Sequence, residues 1–336
     1  MTRSMENLQT SVGEVGEPIL VIDVGGTNIK FGYSCNSQRL DFRKLFSTDA
    51  LRAGDPIRAL ALMVEDVVAE TAIAPRAIVI AIPGFIDSDG DRVLHAANIR
   101  SLDGRRLGDE LGRRAGCTVL LERDAVLALM GEMRAGVVQD AEHVLGVFFG
   151  TGVGAAFMTD GKPFRGSGWA LEIGLMPFLA EGPVPEGMRP DCLEAHASGR
   201  ALQAIAARHG APIDSIFLAS AYSASLADDL SRFIRHQAMA VGMAAAMVSP
   251  ATILLGGGVM DMNGYPRETL IGLIEGHLPL SATGRPLDLR WSRHGWTAVL
   301  HGAPAVLTEH RGRGSPQSRV IRTAGRQPSP ESNQNQ

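Results

Sequence analysis

The chain has 336 residues, 45% hydrophobic and 20% charged, with a formal net charge of −4 at neutral pH. That length exceeds one ordinary compact core and sets two domains as the expectation. Aromatics at 5% give no stacking platform for nucleic acid, and the mildly acidic balance gives no steering toward DNA or anionic lipid.

The N-terminal stretch "MTRSMENLQTSVGEVGEP" has no apolar signal region, so a cytoplasmic protein with a flexible segment over 1–17 is expected. "PILVIDVGGTNIKFGYS" (18–34) reads as strand, glycine turn, strand. "DPIRALALMVEDVVAETA" (55–72) has helical apolar spacing, and "AIVIAIPG" (77–84) is a buried strand stopped by Pro83 and Gly84. A loop with "HAANIRSLDG" follows, then a short helix over 106–116. "CTVLLERDA" (117–125) is a strand running into the helix "AVLALMGEMRAG".

"HVLGVFFGTGVGAAFMTDGKPF" (143–164) repeats the first strand–turn–strand pattern about 125 residues on, a domain spacing rather than a solenoid period. Its apolar run (144–158) is too short and glycine-rich to span a bilayer. A proline- and glycine-rich loop (174–190) leads to helices over 194–209 and 221–248. "ATILLGGGV" (251–259) is a strand ending in glycines, followed by helices over 265–278 and 296–310. The tail from Arg311 cannot form a core and reads as disordered. Its basic run to Arg326 leaves an anionic contact open beside plain solvation. Alternating strands and helices make the class α/β.

Three glycine turns follow three apolar strands: "DVGGTN" (23–28), "GTGVGA" (150–155) and "LGGGV" (255–259). Such turns bring backbone N–H groups to an anion without Cβ atoms in the way, and Thr27 and Thr151 add hydroxyls. Neither the P-loop pattern nor G-x-G-x-x-G is present. Two strand–glycine–strand hairpins in two halves point to a nucleotide clamped between domains. Asp124, at a strand-to-helix junction, is a candidate general base; helix N-capping is its structural alternative. Cys35, Cys117 and Cys192 are too few and too spread for a disulfide framework.

The set "DVGGTNIKFG", "AIPGFID", "AANI", "LERDAVLALMGE", "FFGTGVGAAFMTDGKPFRGSGWALEIG", "CLEAHASGRAL" and "ILLGGGV", in this order, resembles the ROK family of sugar kinases and sugar-responsive repressors over about 18–310. "RD" at 123–124 and "LLGGGVMDMNGYPRETL" at 254–270 look most like its D-allose kinase branch. The resemblance implies an actin-like (ribonuclease H-like) two-domain fold with ATP and Mg²⁺ in the cleft, and transfer of the γ-phosphoryl to a hexose hydroxyl, usually O6. The small lobe would span 18–120 and be completed by the helix at 296–310; the large lobe would span 121–295.

Carried over position by position, the resemblance makes Asp124 the base and Asp23 the carboxylate organising Mg²⁺. The first phosphate loop is Gly25, Gly26, Thr27 and Asn28, with Lys30 beside it. The second is Gly150, Thr151 and Gly152, and the nucleoside loop is Gly256, Gly257 and Gly258. Sugar contacts fall to Gly84, Asn98, Arg123, Asp124, Glu172 and Glu194. A homodimer is implied, without direct DNA binding, since only 17 residues precede Pro18.

Two departures stand out. Arg123 replaces an asparagine and, as a charged donor-only group, should read the C3 and C4 hydroxyls differently; a salt bridge with Glu122 or Glu132 is the alternative. The family's zinc ligands are Leu175, Pro185, Gly187 and Cys192 here, and one thiolate cannot make a tetrahedral site. No zinc is therefore expected, His196 is poorly placed to compensate, and packing of Leu175, Met176 and Phe178 would take over its organising role. Glucose, mannose, fructose and N-acyl hexosamines remain open as substrates, as does a non-catalytic sugar-sensing role.

Overall fold

The computed structural model describes residues 17–35, 38–97 and 99–312. The expected flexible N-terminus and tail lie outside the described residues except for Glu17, Arg311 and Gly312, and Asn98 lies outside them too. Arg311 and Gly312, expected in the tail, are the last turn of a helix.

The first sheet contains β1 (Pro18–Val24), β2 (Asn28–Cys35), β3 (Gln38–Arg39), β4 (Lys44–Ser47), β5 (Ala77–Ile82) and β8 (Thr118–Arg123). Its order is β3-β2-β1-β5-β8, with β4 also on β2. Between β5 and β8, β6 (Gly84–Ile86) and β7 (Val93–Ala96) form a separate hairpin. The second sheet orders β11 (Lys162–Pro163), β10 (Val153–Thr159), β9 (Val144–Phe149), β12 (Thr252–Gly256) and β13 (Leu289–Trp291).

Both sheets are built to one plan. In each, an antiparallel hairpin (β1–β2 or β9–β10) is followed by two strands parallel to its first arm (β5 and β8, or β12 and β13). The repeat seen in the sequence is thus a repeat of topology. Parallel strands covered on both faces need continuous apolar runs, and β5 (AIVIAI) and β12 (TILLG) are buried at every position.

Among the described residues, seven longer helices cover the sheets: α1 (Pro56–Thr71), α2 (Leu107–Ala115), α3 (Asp124–Ala135), α4 (Gly199–His209), α5 (Ala224–Val248), α6 (Arg267–His277) and α7 (Ala298–Gly312). α1 shows why the boundaries fall where they do. Asp55 accepts the Ile57 N–H at 3.1 Å as N-cap and Pro56 fills the first position. Ile57, Leu60, Val64 and Val67 then form the buried stripe.

The single helix read over 194–209 is two. Ser198 turns extended (φ −90°, ψ 170°) and its side chain caps α4 through Ala201 N, because serine competes for local backbone donors and favours a helix start. α3 and α7 cross closely enough that a Cβ on Gly131 or Gly302 would run into the other helix's backbone. Among the described residues, no helix is long and apolar enough to cross a membrane.

Candidate active site

Asp23, next to last in β1, is paired across the hairpin with Lys30, and the two side chains form an ion pair at 2.8 Å. The turn between them closes through Gly25 N to Asn28 O (3.0 Å). Its outer carbonyls are held by Thr48 Oγ1 to Gly25 O (2.8 Å) and Arg52 Nη2 to Gly26 O (2.6 Å), while Thr48 N donates to Thr27 O (3.0 Å).

The second hairpin turns at Gly150, Thr151 and Gly152, with Gly150 N donating to Gly152 O (3.0 Å). The tips face each other: a Cβ on Gly26 would lie 3.7 Å from Thr151 Cγ2. The third glycine turn packs beneath the second. Gly257 adopts φ +95°, where a Cβ would collide with the Phe149 backbone, and Val259 N donates to Phe149 O (3.0 Å). Gly256, Gly257 and Gly258 therefore sit at the base of the second hairpin.

Asp124 is the first residue of α3, with Arg123 in the N-cap position. Its Oδ1 accepts the Ala125 N–H at 2.7 Å. Burial, helped by the charges of Asp23 and Glu194, pushes its carboxyl up to about 6 against the opposing pull of the Ala125 N–H and Arg123. Glu172 is pushed up to about 7, mainly by burial, with Arg123 opposing and Asp124 and Glu194 adding to the rise. Burial also raises Glu194, opposed by the Val153 N–H and Arg200. Asp23, Asp124, Glu172 and Glu194, from four distant stretches of sequence, thus converge on one electrostatic neighbourhood.

Arg123 is buried and its guanidinium is engaged by protein. It donates to Ala170 O (2.6 Å) and Ala155 O (3.3 Å) and pairs with Glu172 Oε1 (2.5 Å). Its partner is neither of the two glutamates weighed from sequence. Glu122 pairs with Arg165 (2.5 Å), which also holds Glu309 (2.8 Å). Glu132 accepts Ser292 Oγ (2.6 Å) and the N–H groups of Arg293 and His294 (2.9 Å each). A cavity of about 330 Å³ beside β8 is lined by Asp87, Glu122, Arg123, Arg165 and Glu309, and by no residue of the two glycine hairpin turns.

Glu194 Oε2 accepts the Val153 N–H at 2.9 Å, tying the carboxylate to the second hairpin. Gly84 opens β6 with φ +145° and its Cα faces the His95 carbonyl too closely for a side chain. Leu175 does not pack as expected. It is 49% exposed, whereas Phe178 is buried against His196 and His236, with ring centroids 5.9 and 5.2 Å away. Leu175 lies in a short 3₁₀ turn (Ile173–Leu175) whose inward position is taken by Ile173. Cys192 is buried and donates through Sγ to Arg189 O (3.2 Å). Among the described residues no group of three or more His, Cys, Asp and Glu side chains comes together as a metal site.

The ROK family profile matches residues 19–310. The chain belongs to the ROK family. It is 29% identical over 229 residues to a glucokinase of Halalkalibacterium halodurans, covering 61% of this chain and 67% of that protein. It is 28% identical over 264 residues to an N-acetyl-D-glucosamine kinase of Vibrio vulnificus, covering 71% and 83%. Among solved structures, the ROK hexokinase of Thermus thermophilus superposes with a TM-score of 0.71 at 26% identity, covering 88% of this chain and all of that one. A ROK glucokinase of Streptomyces griseus, in complex with glucose and AMPPNP, gives 0.69 at 25% identity over 86% and 98%. The fold is the actin-like sugar kinase fold, and this ROK protein is an ATP-dependent sugar kinase of the hexose or N-acetylhexosamine type.

The carboxylates and glycine turns were findable from the sequence. The sequence reading missed His236, and it set His196 aside. Their signal was two histidines 40 residues apart in a chain that has nine, with nothing local to pair them.

Proposed function

We propose that the enzyme transfers the γ-phosphoryl of ATP to the primary hydroxyl of a hexose, at O6, with D-allose the best single candidate. The observation that carries the phosphoryl-transfer reading is Asp124. Its half-buried carboxyl stands at a helix start, within reach of the charges of Asp23 and Glu194, and is raised to about 6. It is therefore ionised at neutral pH, yet basic enough to take the proton of the attacking hydroxyl. Oδ1 is occupied by the Ala125 N–H, so Oδ2 is the oxygen that meets the sugar.

The remaining parts follow from their chemistry. The N–H groups of Gly26, Thr27, Thr151 and Gly152 face the phosphates, where fixed dipoles stabilise developing charge without reorganising. Asp23, a hard oxygen ligand beside Lys30, fits a Mg²⁺ that travels with the phosphates; when bound, the ion neutralises phosphate charge. Glu172 and Glu194 accept hydrogen bonds from ring hydroxyls. Arg123 acts on sugar choice through Glu172, because both of its Nη groups are held by protein oxygens. That substitution within the sugar pocket is what supports an acceptor differing from glucose at C3.

A panel of D-allose, glucose, mannose, fructose and N-acetylhexosamines with Mg·ATP tests the substrate. D-allose turnover no higher than that of the other sugars would sink the allose assignment and leave the kinase in place. Asp124→Asn should cut kcat by about 10²- to 10⁴-fold with sugar binding retained. A near-native rate would remove Asp124 as base.

A further inference from the structure

Glu194 sits on a single helical turn, Glu194–Ala197, that stops where Ser198 becomes extended. A turn this short leaves main-chain carbonyls at its end without helical partners, and buried carbonyls need donors. α5 braces the turn from two consecutive residues. The His236 ring packs against the His196 ring, and Gln237 Nε2 donates to Ala197 O at 3.1 Å. Gln237 is fully buried, and its amide oxygen accepts the Tyr265 hydroxyl at 2.6 Å, which fixes which end of the amide faces the turn.

His236 is held as firmly. Its ring centroid lies 5.2 Å from that of Phe178 and 5.7 Å from that of His196, both near-perpendicular at 78°. Burial pulls its pKa down to about 4, and His196, Arg232 and Arg235 press in the same direction. The ring is therefore neutral at physiological pH, and Glu181 and Asp229 share its surroundings.

The other two rings anchor the neighbouring loop. His196 Nε2 donates to Pro190 O (2.7 Å), Phe178 N to Asp191 O (3.0 Å), and Leu193 N to Met176 O (3.0 Å). Loop, turn and long helix meet at this one cluster. The turn it fixes presents Glu194 to Val153 N on the second hairpin.

We propose that His236 and Gln237 are positioning residues that hold the Glu194–Ala197 turn, and through it the Glu194 carboxylate, in place for the sugar. This rests on the reading of Glu194 as a sugar contact. The test is steady-state kinetics on the full chain with D-allose, D-glucose and the fastest hexose of the panel as acceptors. His236→Leu keeps apolar bulk and removes the planar ring packed edge-on to Phe178 and His196; the sugar KM should rise several-fold while the KM for ATP stays within about twofold. His236→Phe, which restores a planar ring, should recover part of that loss. Because Gln237 is fully buried, Tyr265→Phe is the milder probe of its orientation and should shift the sugar KM in the same direction by less.

Glu194→Gln is the control. If it raises the sugar KM and His236→Leu does not, the positioning role is overturned and the Glu194 reading stands. If Glu194→Gln leaves the sugar KM unchanged, both fall. Equal rises in the sugar and ATP KM values of His236→Leu, with a lowered unfolding midpoint, mark general loosening and also overturn the proposal.

Discussion

At the β1–β2 hairpin the chain places an aspartate and a lysine, ion-paired at 2.8 Å. At the β9–β10 hairpin, built on the same strand plan, it places Phe148, Phe149, Gly150, Thr151, Gly152 and Val153, with no ionisable side chain. The first turn is held from outside by Thr48 and Arg52 on its carbonyls. The second is held by Glu194 on Val153 N, by Gly199 N on Gly150 O (2.8 Å) and by Arg200 N on Thr151 O (3.3 Å). On the proposed reading, one copy of the strand plan carries the charge chemistry and the other the connection to the sugar.

The sharpest way to break this contrast is to remove the charge. Asp23→Ala should lower kcat by roughly a thousandfold, measured across Mg²⁺ concentrations. Thr151→Val, which costs the second hairpin a hydroxyl, should stay within about tenfold. Equal losses would show the two hairpins to be chemically alike.

The next effect is read through pH, because Asp124 feels both hairpins. With Asp124 at about 6, kcat/KM should fall roughly tenfold per unit on the acid side of that value. Asp23→Asn should move the midpoint down further than Glu194→Gln, since Asp23 exerts the larger influence of the two; an NMR titration of the Asp124 carboxyl checks the order.

Stability should run the opposite way. The folded values of Asp124 and Glu172, about 6 and about 7, lie above their ordinary values of 3.8 and 4.5. Their protonation therefore favours the folded state. That contribution is fully present below the ordinary values and is lost as pH rises through 6 to 7. Between pH 7.5 and 5 the unfolding midpoint by calorimetry should rise while activity falls, and Glu172→Gln should flatten the rise.

The smallest effect is steric. A Cβ on Gly152 would clash with Glu194 Oε2 and lie 3.0 Å from its Cδ, whereas on Gly26 the nearest atom is 3.7 Å away. Gly152→Ala should raise the sugar KM several-fold, about 1 kcal/mol. Gly26→Ala should leave sugar KM and unfolding midpoint unchanged.

The strand–glycine–strand units were legible because a buried parallel strand and a tight turn both write themselves into adjacent residues. Asp124 was legible for the same reason, since the strand β8 and the helix α3 meet at it. The partner of Arg123 was not. Glu172 is 49 positions away and reaches it through a loop whose path no local pattern encodes, so the neighbouring Glu122 and Glu132 drew attention instead. The break at Ser198 was hidden because Glu194–Ala197 and α4 carry one continuous apolar spacing. Leu175 shows the limit of composition: an apolar residue beside a pocket was expected to pack, but the 3₁₀ turn gave the inward place to Ile173.

Glu194 touches the second hairpin with one oxygen and, on the proposed reading, the sugar with the other. Such sharing constrains how the enzyme can change over generations. On that reading, a substitution there that admits a new sugar also disturbs the hairpin proposed to receive the nucleotide, so the two selections cannot be made separately. The Arg123–Glu172 pair carries no such double duty toward either hairpin tip. Drift in substrate range should therefore accumulate around Arg123 while Glu194 stays fixed, and a laboratory selection for new acceptors should recover its first winners there.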